Sequence, residues 1–353
     1  MSDVVFILGA GTSKQAGAPL MVGFLDRARS LQREGDLGHG LGGAFDLVFK
    51  ARDALQAAQS KAALDIDNLE SVFAAFEMAK LTGRLSPLAP EEVAQLPEAM
   101  RSLIAATIER SIRLRVAGNS INPPLPHDEF AKLLGRMTRE SIVAVITFNY
   151  DLCLDYALLA NGVRFSYGLG EANMRSGVRL LKLHGSLNWV WCSDCGIVTE
   201  YGLHQYFERK TFPGAESVRL LVSEEATRKA KCRGCGKAGG QLMVVPPTWN
   251  KASHQAQLSQ IWSAAAAELQ HAERIMVCGY SLPPSDHFFH YLYALGTIGS
   301  ASLREFRVCD PDGDVEGRFD RILGQQARGR FASFRESFQE MINRAKSLIP
   351  QTA

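Results

Sequence analysis

Residues Val4–Leu8 form an unbroken apolar run that stops at Gly9-Ala10-Gly11. A strand apolar at every position has both faces covered, and such strands belong to parallel sheets rather than to sheets with one wet face. Similar runs recur over residues 142–148, 178–183, 242–245, 274–279 and 306–309, each closed by glycine, proline or polar residues. Several are separated by segments able to form helices. The pattern predicts an α/β fold built on a doubly wound parallel sheet.

The chain has 353 residues, 46% of them hydrophobic and 22% charged, which suits a folded domain with insertions. Between the first and second apolar runs lies a long stretch with helical rather than strand character. Asp67-Asn68-Leu69-Glu70 reads as a capping box, and Leu69, Val72, Phe73 and Phe76 then recur at helical spacing. A second helix is expected over residues 98–116, with Leu103, Ile104, Ile108 and Ile112 inward. Proline-bearing loops are expected over 86–97 and 122–126, helix after Val315, and an amphipathic helical run over 331–349. A net charge of +2 sets up no strong field toward nucleic acid, so direct nucleic-acid binding is not expected. No apolar run reaches the length of a membrane span, and no charged region precedes the first apolar stretch as in a secretion signal. A cytoplasmic protein without membrane contact is the expectation.

Glycines directly after a buried strand let backbone amides approach a pyrophosphate, and the following helix offers its N-terminal dipole to the anion. Gly9-Ala10-Gly11-Thr12-Ser13 and Gly17-Ala18-Pro19 suit that role, or a tight strand-to-helix turn, since Gly17 falls later than the usual third glycine. Two other runs end in polar groups, Thr147-Phe148-Asn149-Tyr150-Asp151 and Lys182-Leu183-His184-Gly185-Ser186. Ligands of open parallel sheets bind at the carboxyl ends of strands, so an amide, a carboxylate and an imidazole are expected around one crevice. Taken singly, Asn149 and Asp151 could each cap the next helix, and His184 could be a satisfied core histidine.

The cysteines divide into two sets. Cys192-x-x-Cys195 and Cys232-x-x-Cys235 are two knuckles with Gly196 and Gly234 beside them, which suits a four-thiolate structural zinc site with no open position. Cys153, Cys278 and Cys309 stand among apolar residues and read as buried thiols. Arg228, Lys229, Lys231, Arg233 and Lys237 cluster at the second knuckle, a pattern that is a solvated face or a contact surface.

The ordered set of Gly9-Ala10-Gly11-Thr12-Ser13, Thr147-Phe148-Asn149-Tyr150-Asp151, His184-Gly185, the two cysteine pairs and Gly279-Tyr280-Ser281-Leu282 resembles the sirtuin superfamily. It is most similar to divergent bacterial sirtuin-like proteins that consume NAD+. The resemblance implies a Rossmann-type NAD-binding core (residues 1–24, 140–188 and 242–325), a helical insertion (25–139), a small four-cysteine zinc-ribbon domain (189–241) and a C-terminal helix (326–353). It implies that Gly9, Ala10, Gly11 and Ser13 line the phosphate and ribose pocket, with Thr147 at the strand tip beside them. Asn149 would hold the nicotinamide ribose and a water, Asp151 would face nicotinamide, and His184 would be the general base. Gly279 and Ser281 would contact the adenosine half, and Asp310 its ribose, where a carboxylate favours NAD over NADP.

Nicotinamide leaves NAD+ as a neutral ring through an oxocarbenium-like transition state, as in glycoside hydrolysis. The chemistry therefore asks for an immobilised ribose, a placed nucleophile and a base, roles suited to Asn149 and His184. Two departures separate the chain from lysine-deacylating sirtuins. Gly17-Ala18-Pro19 is followed by Leu20-Met21-Val22 instead of Asp-Phe-Arg, and Val244-Val245-Pro246-Pro247-Thr248-Trp249 replaces the Phe-Gly-Glu segment that pairs with substrate peptide. Water is therefore expected to attack the ribose, giving nicotinamide and ADP-ribose. The alternative activities are NAD-dependent deacylation and ADP-ribosyl transfer. The resemblance also implies a regulated effector of bacterial antiphage defence, a homo-oligomer, and a defence partner such as an ATPase or nucleic-acid sensor.

Overall fold

The computed structural model describes residues 2–37, 40–57, 63–118, 120–139, 141–170, 177–208, 210–245, 256–283, 286–297 and 303–347. In chain order its strands are β1 (Val4–Leu8), β2 (Leu114–Ala117), β3 (Ser120–Ile121), β4 (Val143–Thr147), β5 (Phe165–Ser166), β6 (Val178–Lys182) and β7 (Gly185–Trp191). They continue as β8 (Val198–Glu200), β9 (Ser217–Val218), β10 (Gln241–Val244), β11 (Arg274–Cys278), β12 (Glu305–Cys309) and β13 (Phe331–Phe334).

Seven strands form one sheet in the order β13-β12-β11-β1-β4-β6-β5, and every neighbouring pair is parallel. β1 and β4 are buried at every residue, as expected for strands covered on both faces. Helices Leu125–Met137, Cys153–Ala160 and Phe338–Ser347 pack as one group, and Ser259–His271 with His287–Gly296 as another. Phe6, Phe130, Val145, Phe289 and Phe306 lie in the core that results. The doubly wound α/β fold expected from the apolar runs is the observed one.

A second hydrophobic core lies beside the first. It joins Phe45, Phe73, Phe76 and Leu103 of the insertion to Val190, Tyr201, Tyr206 and Val222 of the ribbon segment. β2 also pairs with β9, which ties the two segments by backbone hydrogen bonds. The insertion and the ribbon thus share one interior. Glu109 fixes the same junction: its carboxylate accepts bonds from the Val222 and Ser223 amides (2.8 and 2.7 Å) and from the Ser223 hydroxyl (2.7 Å). These groups start helix Ser223–Lys229, so a buried acid from one segment caps a helix of the other.

Helix Leu69–Thr82 forms where expected, with Asn68 accepting from the Glu70 and Ser71 amides (2.8 and 3.1 Å) and Gly83 closing it at φ 68°. Leu69, Val72, Phe73 and Phe76 are all buried on its inner face. Other expectations need correction. The loop predicted to extend to Pro97 is helical from Pro90, and Pro97 sits inside helix Pro90–Ser111. A proline there removes one hydrogen bond, but Leu96, Met100, Leu103 and Ile104 bury a continuous face that offsets it. Residues 112–116 then leave the helix for β2. Helix Leu125–Met137, expected inside the insertion, packs into the main core. The apolar run at 242–245 is not a strand of the parallel sheet, because β10 pairs antiparallel with β7 in the order β10-β7-β8. The run expected as helix from 331 begins as β13, the edge strand beside β12, and helix Phe338–Ser347 follows.

Candidate functional site

The carboxyl ends of β1, β4 and β11 meet at one edge, since Leu8 lies beside both Thr147 and Cys278 in register. After β1 the chain enters a 3-10 helix, Ala10–Ala16, closed by Gly17 at φ 98°. Gly9 and Gly11 have a packing reason beyond the one read from sequence. A Cβ on Gly9 would stand 2.5 Å from the Gly279 carbonyl oxygen, and one on Gly11 2.8 Å from the Gly279 Cα. The backbone after β11 is seated directly on the first loop, and the Gly11 amide donates to the Gly279 carbonyl at 2.9 Å.

Asn149 does not cap a helix. Its Nδ2 donates to the Gly9 carbonyl (3.0 Å), Thr12 Oγ1 (3.1 Å) and Ser13 Oγ (3.3 Å), pinning the loop to the tip of β4. Thr147 supports this arrangement, donating to the Leu8 carbonyl at 3.1 Å and accepting from the Asn149 amide at 3.1 Å. Asp151 precedes the N-cap residue Leu152 and accepts from the Cys153 amide, the first of the next helix, at 3.0 Å. The buried Lys182 ammonium donates to the Asp151 carbonyl at 2.7 Å and pairs with Asp155 at 3.0 Å.

His184 is 4% exposed, against the edge of Phe148 (ring centroids 5.0 Å apart) and roughly parallel to Tyr150 (6.2 Å). Its Nε2 lies 3.7 Å from Asp286 Oδ1, and the Tyr280 hydroxyl donates to Asp286 Oδ2 at 3.0 Å. Tyr280 in turn stacks on Phe148 with centroids 4.2 Å apart and planes 7° from parallel. The imidazole is thus positioned by a buried carboxylate and an aromatic wall. Asp286 was not singled out in the sequence, because it lies 102 positions after His184 and belongs to no motif.

His127 was missed for the same reason. It is buried on helix Leu125–Met137 with its Nε2 3.5 Å from Ser13 Oγ, and its ring lies near Asp151 and Cys153. Burial drives its pKa down to about 4, with the nearby Asp151 charge opposing the shift, so the ring is neutral at pH 7. Ser281 is exposed, and its carbonyl accepts from Arg318 at 2.9 Å. Asp310 follows β12, its amide donating to the Phe334 carbonyl at 3.1 Å, and burial raises its carboxyl above the usual range. Ala10 is exposed at the start of the 3-10 helix. Pro246 to Trp249, read as unable to pair with a peptide strand, lie outside the described residues.

Cys192, Cys195, Cys232 and Cys235 present four sulfurs all within 4.8 Å of one another, with Cys192 and Cys235 Sγ 3.8 Å apart. Each knuckle closes in the same way. The Gly196 amide donates to the Cys192 carbonyl (2.8 Å) and the Gly236 amide to the Cys232 carbonyl (2.9 Å), with both glycines left-handed at φ 67° and 73°. Gly236, not the expected Gly234, is the conformational partner of Gly196; Gly234 packs against Ile197. A compact set of four thiolate donors fits one structural zinc ion. In the basic cluster beside it, Arg228 pairs with Glu224, Lys229 with Glu225, Arg233 with Glu200 and Lys237 with Asp194. Internal pairing of this kind is what a solvated face shows. Cys153, Cys278 and Cys309 are buried as expected, and burial raises each thiol pKa, Cys309 to about 12.

Solved structures similar to the chain include two Sir2 proteins. One is a Sir2 homologue in complex with NAD, with 16% sequence identity, 98% of this chain and 89% of that chain covered, and a TM-score of 0.42. The other is Sir2Tm bound to a propionylated peptide, with 14% identity, coverage of 98% and 92%, and a TM-score of 0.38. No family model and no curated protein matches the chain. Among the described residues no helix is long and apolar enough to cross a membrane.

Proposed function

We propose that the chain is an NAD+ glycohydrolase: water attacks the anomeric carbon of the nicotinamide ribose, the nicotinamide–ribose bond breaks, and nicotinamide and ADP-ribose result. The reading is carried by one observation, Asn149 pinned between the glycine loop and the tip of β4 while His184 follows the neighbouring β6. Nicotinamide departs neutral and takes its bonding electrons with it, so no proton is owed to the leaving group. The attacking water must lose one. His184, oriented by Asp286, accepts it. Asn149 Oδ1, with no partner among the described residues, holds the ribose hydroxyls and the water while Nδ2 keeps the loop in place.

Gly9, Ala10, Gly11 and Ser13 would hold the pyrophosphate and ribose, Thr147 would support Asn149, and Asp151 would face nicotinamide. Gly279 and Ser281 would contact the adenosine half, and Asp310 its ribose. Zinc on the four cysteines would be structural. Hydrolysis is favoured over deacylation by the segment after Pro19, where Val22 is 91% exposed in place of a charged and aromatic motif. The sequence resemblance extends the proposal to a cytoplasmic, homo-oligomeric effector of bacterial antiphage defence, released to act by a partner. The test is to follow nicotinamide release from NAD+ with and without an acylated lysine peptide. Release without peptide supports hydrolysis; release that strictly requires peptide replaces it with deacylation.

A further inference from the structure

The opposite end of the parallel sheet carries a second feature that the crevice does not use. The entrances to β4, β5 and β6 border a cleft of about 860 Å³. Its lining includes five cations, Lys132, Arg136, Arg139, Arg164 and Lys346, against the single carboxylate of Glu129. Lys346 pairs with Glu129 and Lys132 with Asp128, both at 2.6 Å. Arg136 and Arg139 have no side-chain partner among the described residues. Two of these cations end helix Leu125–Met137 or follow it, where the helix dipole favours positive charge. That accounts for Arg136 and Arg139, and for Lys346 in the last turn of helix Phe338–Ser347, but not for Arg164, which reaches the same cleft from the approach to β5. In a chain with net charge +2, such a concentration in one concavity is a local feature rather than an average one.

The cleft does not end at the charges. It shares Gly162, Val163 and Arg164 with a cavity of about 380 Å³ between β5 and the ribbon. Leu159, Phe165 and Leu203 give that cavity apolar walls, and its polar lining includes Ser166, Glu200 and His204, the Tyr167 hydroxyl and the Asn188 amide being engaged with Asp155, Ser186 and Tyr201. The volume lies within the range of small-molecule sites, about 300–1,000 Å³. A cationic cleft beside a mostly apolar cavity matches a ligand that is anionic at one end and flat and apolar-faced at the other.

We propose that this joined site binds a nucleoside phosphate, with phosphate oxygens on Arg136, Arg139 and Arg164 and the base in the Phe165–Leu203 cavity. It shares no lining residue with the proposed NAD+ site, whose residues follow the carboxyl ends of β1, β4, β6 and β11. The test is a calorimetric titration of the full chain with ADP, pyrophosphate, adenosine and a short single-stranded DNA, repeated on the Arg136→Glu, Arg139→Glu double variant. Both arginines are exposed, so the double variant keeps the fold, checked by circular dichroism, and keeps nicotinamide release if the glycohydrolase reading holds. ADP should bind in the native chain, more tightly than pyrophosphate or adenosine, and about tenfold more weakly in the double variant. Absence of ADP binding overturns the proposal, as does ADP binding that the double variant leaves unchanged, which would place ADP in the crevice. Pyrophosphate binding as tightly as ADP reduces the site to a bare anion patch, and tighter binding of the DNA strand makes it a polynucleotide surface; either result also overturns it.

Discussion

Asn149 places its amide nitrogen on the glycine loop, and in the proposed reaction its oxygen would hold the ribose. Replacing it with alanine removes three hydrogen bonds as well as the proposed ligand contact. Asn149→Ala and His184→Ala should each lower nicotinamide release at least ~100-fold, with far-UV circular dichroism and bound zinc unchanged. Unaltered release in both variants would remove these residues from the site. Asp286 touches His184 rather than substrate, so it is a positioning residue. Asp286→Asn should lower kcat about tenfold or more while KM moves little, and Asp286→Glu should recover part of the loss. Equal losses in both variants with a fall in thermal stability would reduce Asp286 to a structural role. Single residues were the least legible level in the sequence. Asn149 and Asp151 are each ambiguous between capping and binding, and the two come apart only in three dimensions: Asp151 accepts from the first amide of the next helix, while Asn149 binds the glycine loop. Asp286 and His127 were invisible because chain folding, not spacing, brings them to the site.

Elements with a strong period were legible, and elements made by pairing were not. β1, β4 and β6 showed as apolar runs because both their faces are buried, and the Leu69–Thr82 helix showed as a capped stripe. β10 has the same apolar look, yet pairs antiparallel, since an apolar run records burial and not strand direction. β13 follows a helical pattern in sequence and becomes a strand because the open edge of β12 offers it hydrogen bonds. The Glu109 cap was hidden for a related reason, one element completing another 113 residues away. Burial raises the Glu109 carboxyl to about 7, against the hydrogen bonds from Ser223 and Val222 that favour its charged form. An acid whose folded pKa is raised binds its proton more tightly when folded, so its contribution falls as pH rises from about 4.5 to about 7. Melting temperature measured across pH 4.5–8 should decline less steeply in Glu109→Gln than in the native chain. Identical slopes would show that Glu109 is not the titrating group.

At the scale of the molecule, two cores meet along β7, whose Leu187 and Val190 face the second core while Trp189 faces the first. β7 ends one residue before Cys192, so the zinc knuckles tether the strand that both interiors share. Removing zinc with a strong chelator should therefore lower the melting temperature by roughly 5 °C or more and expose insertion tryptic sites together with ribbon sites. Proteolysis confined to the ribbon would show that the two segments do not stand or fall together. The sheet order has a different consequence, for biosynthesis. β1 lies between β4 and β11, so its two flanking partners emerge from the ribosome about 140 and about 270 residues after it. The apolar strand β1 thus stays unpaired until β4 emerges, and its second edge stays open until β11 does. During synthesis, the strand at the middle of the finished sheet is therefore one whose two edges are covered at different times.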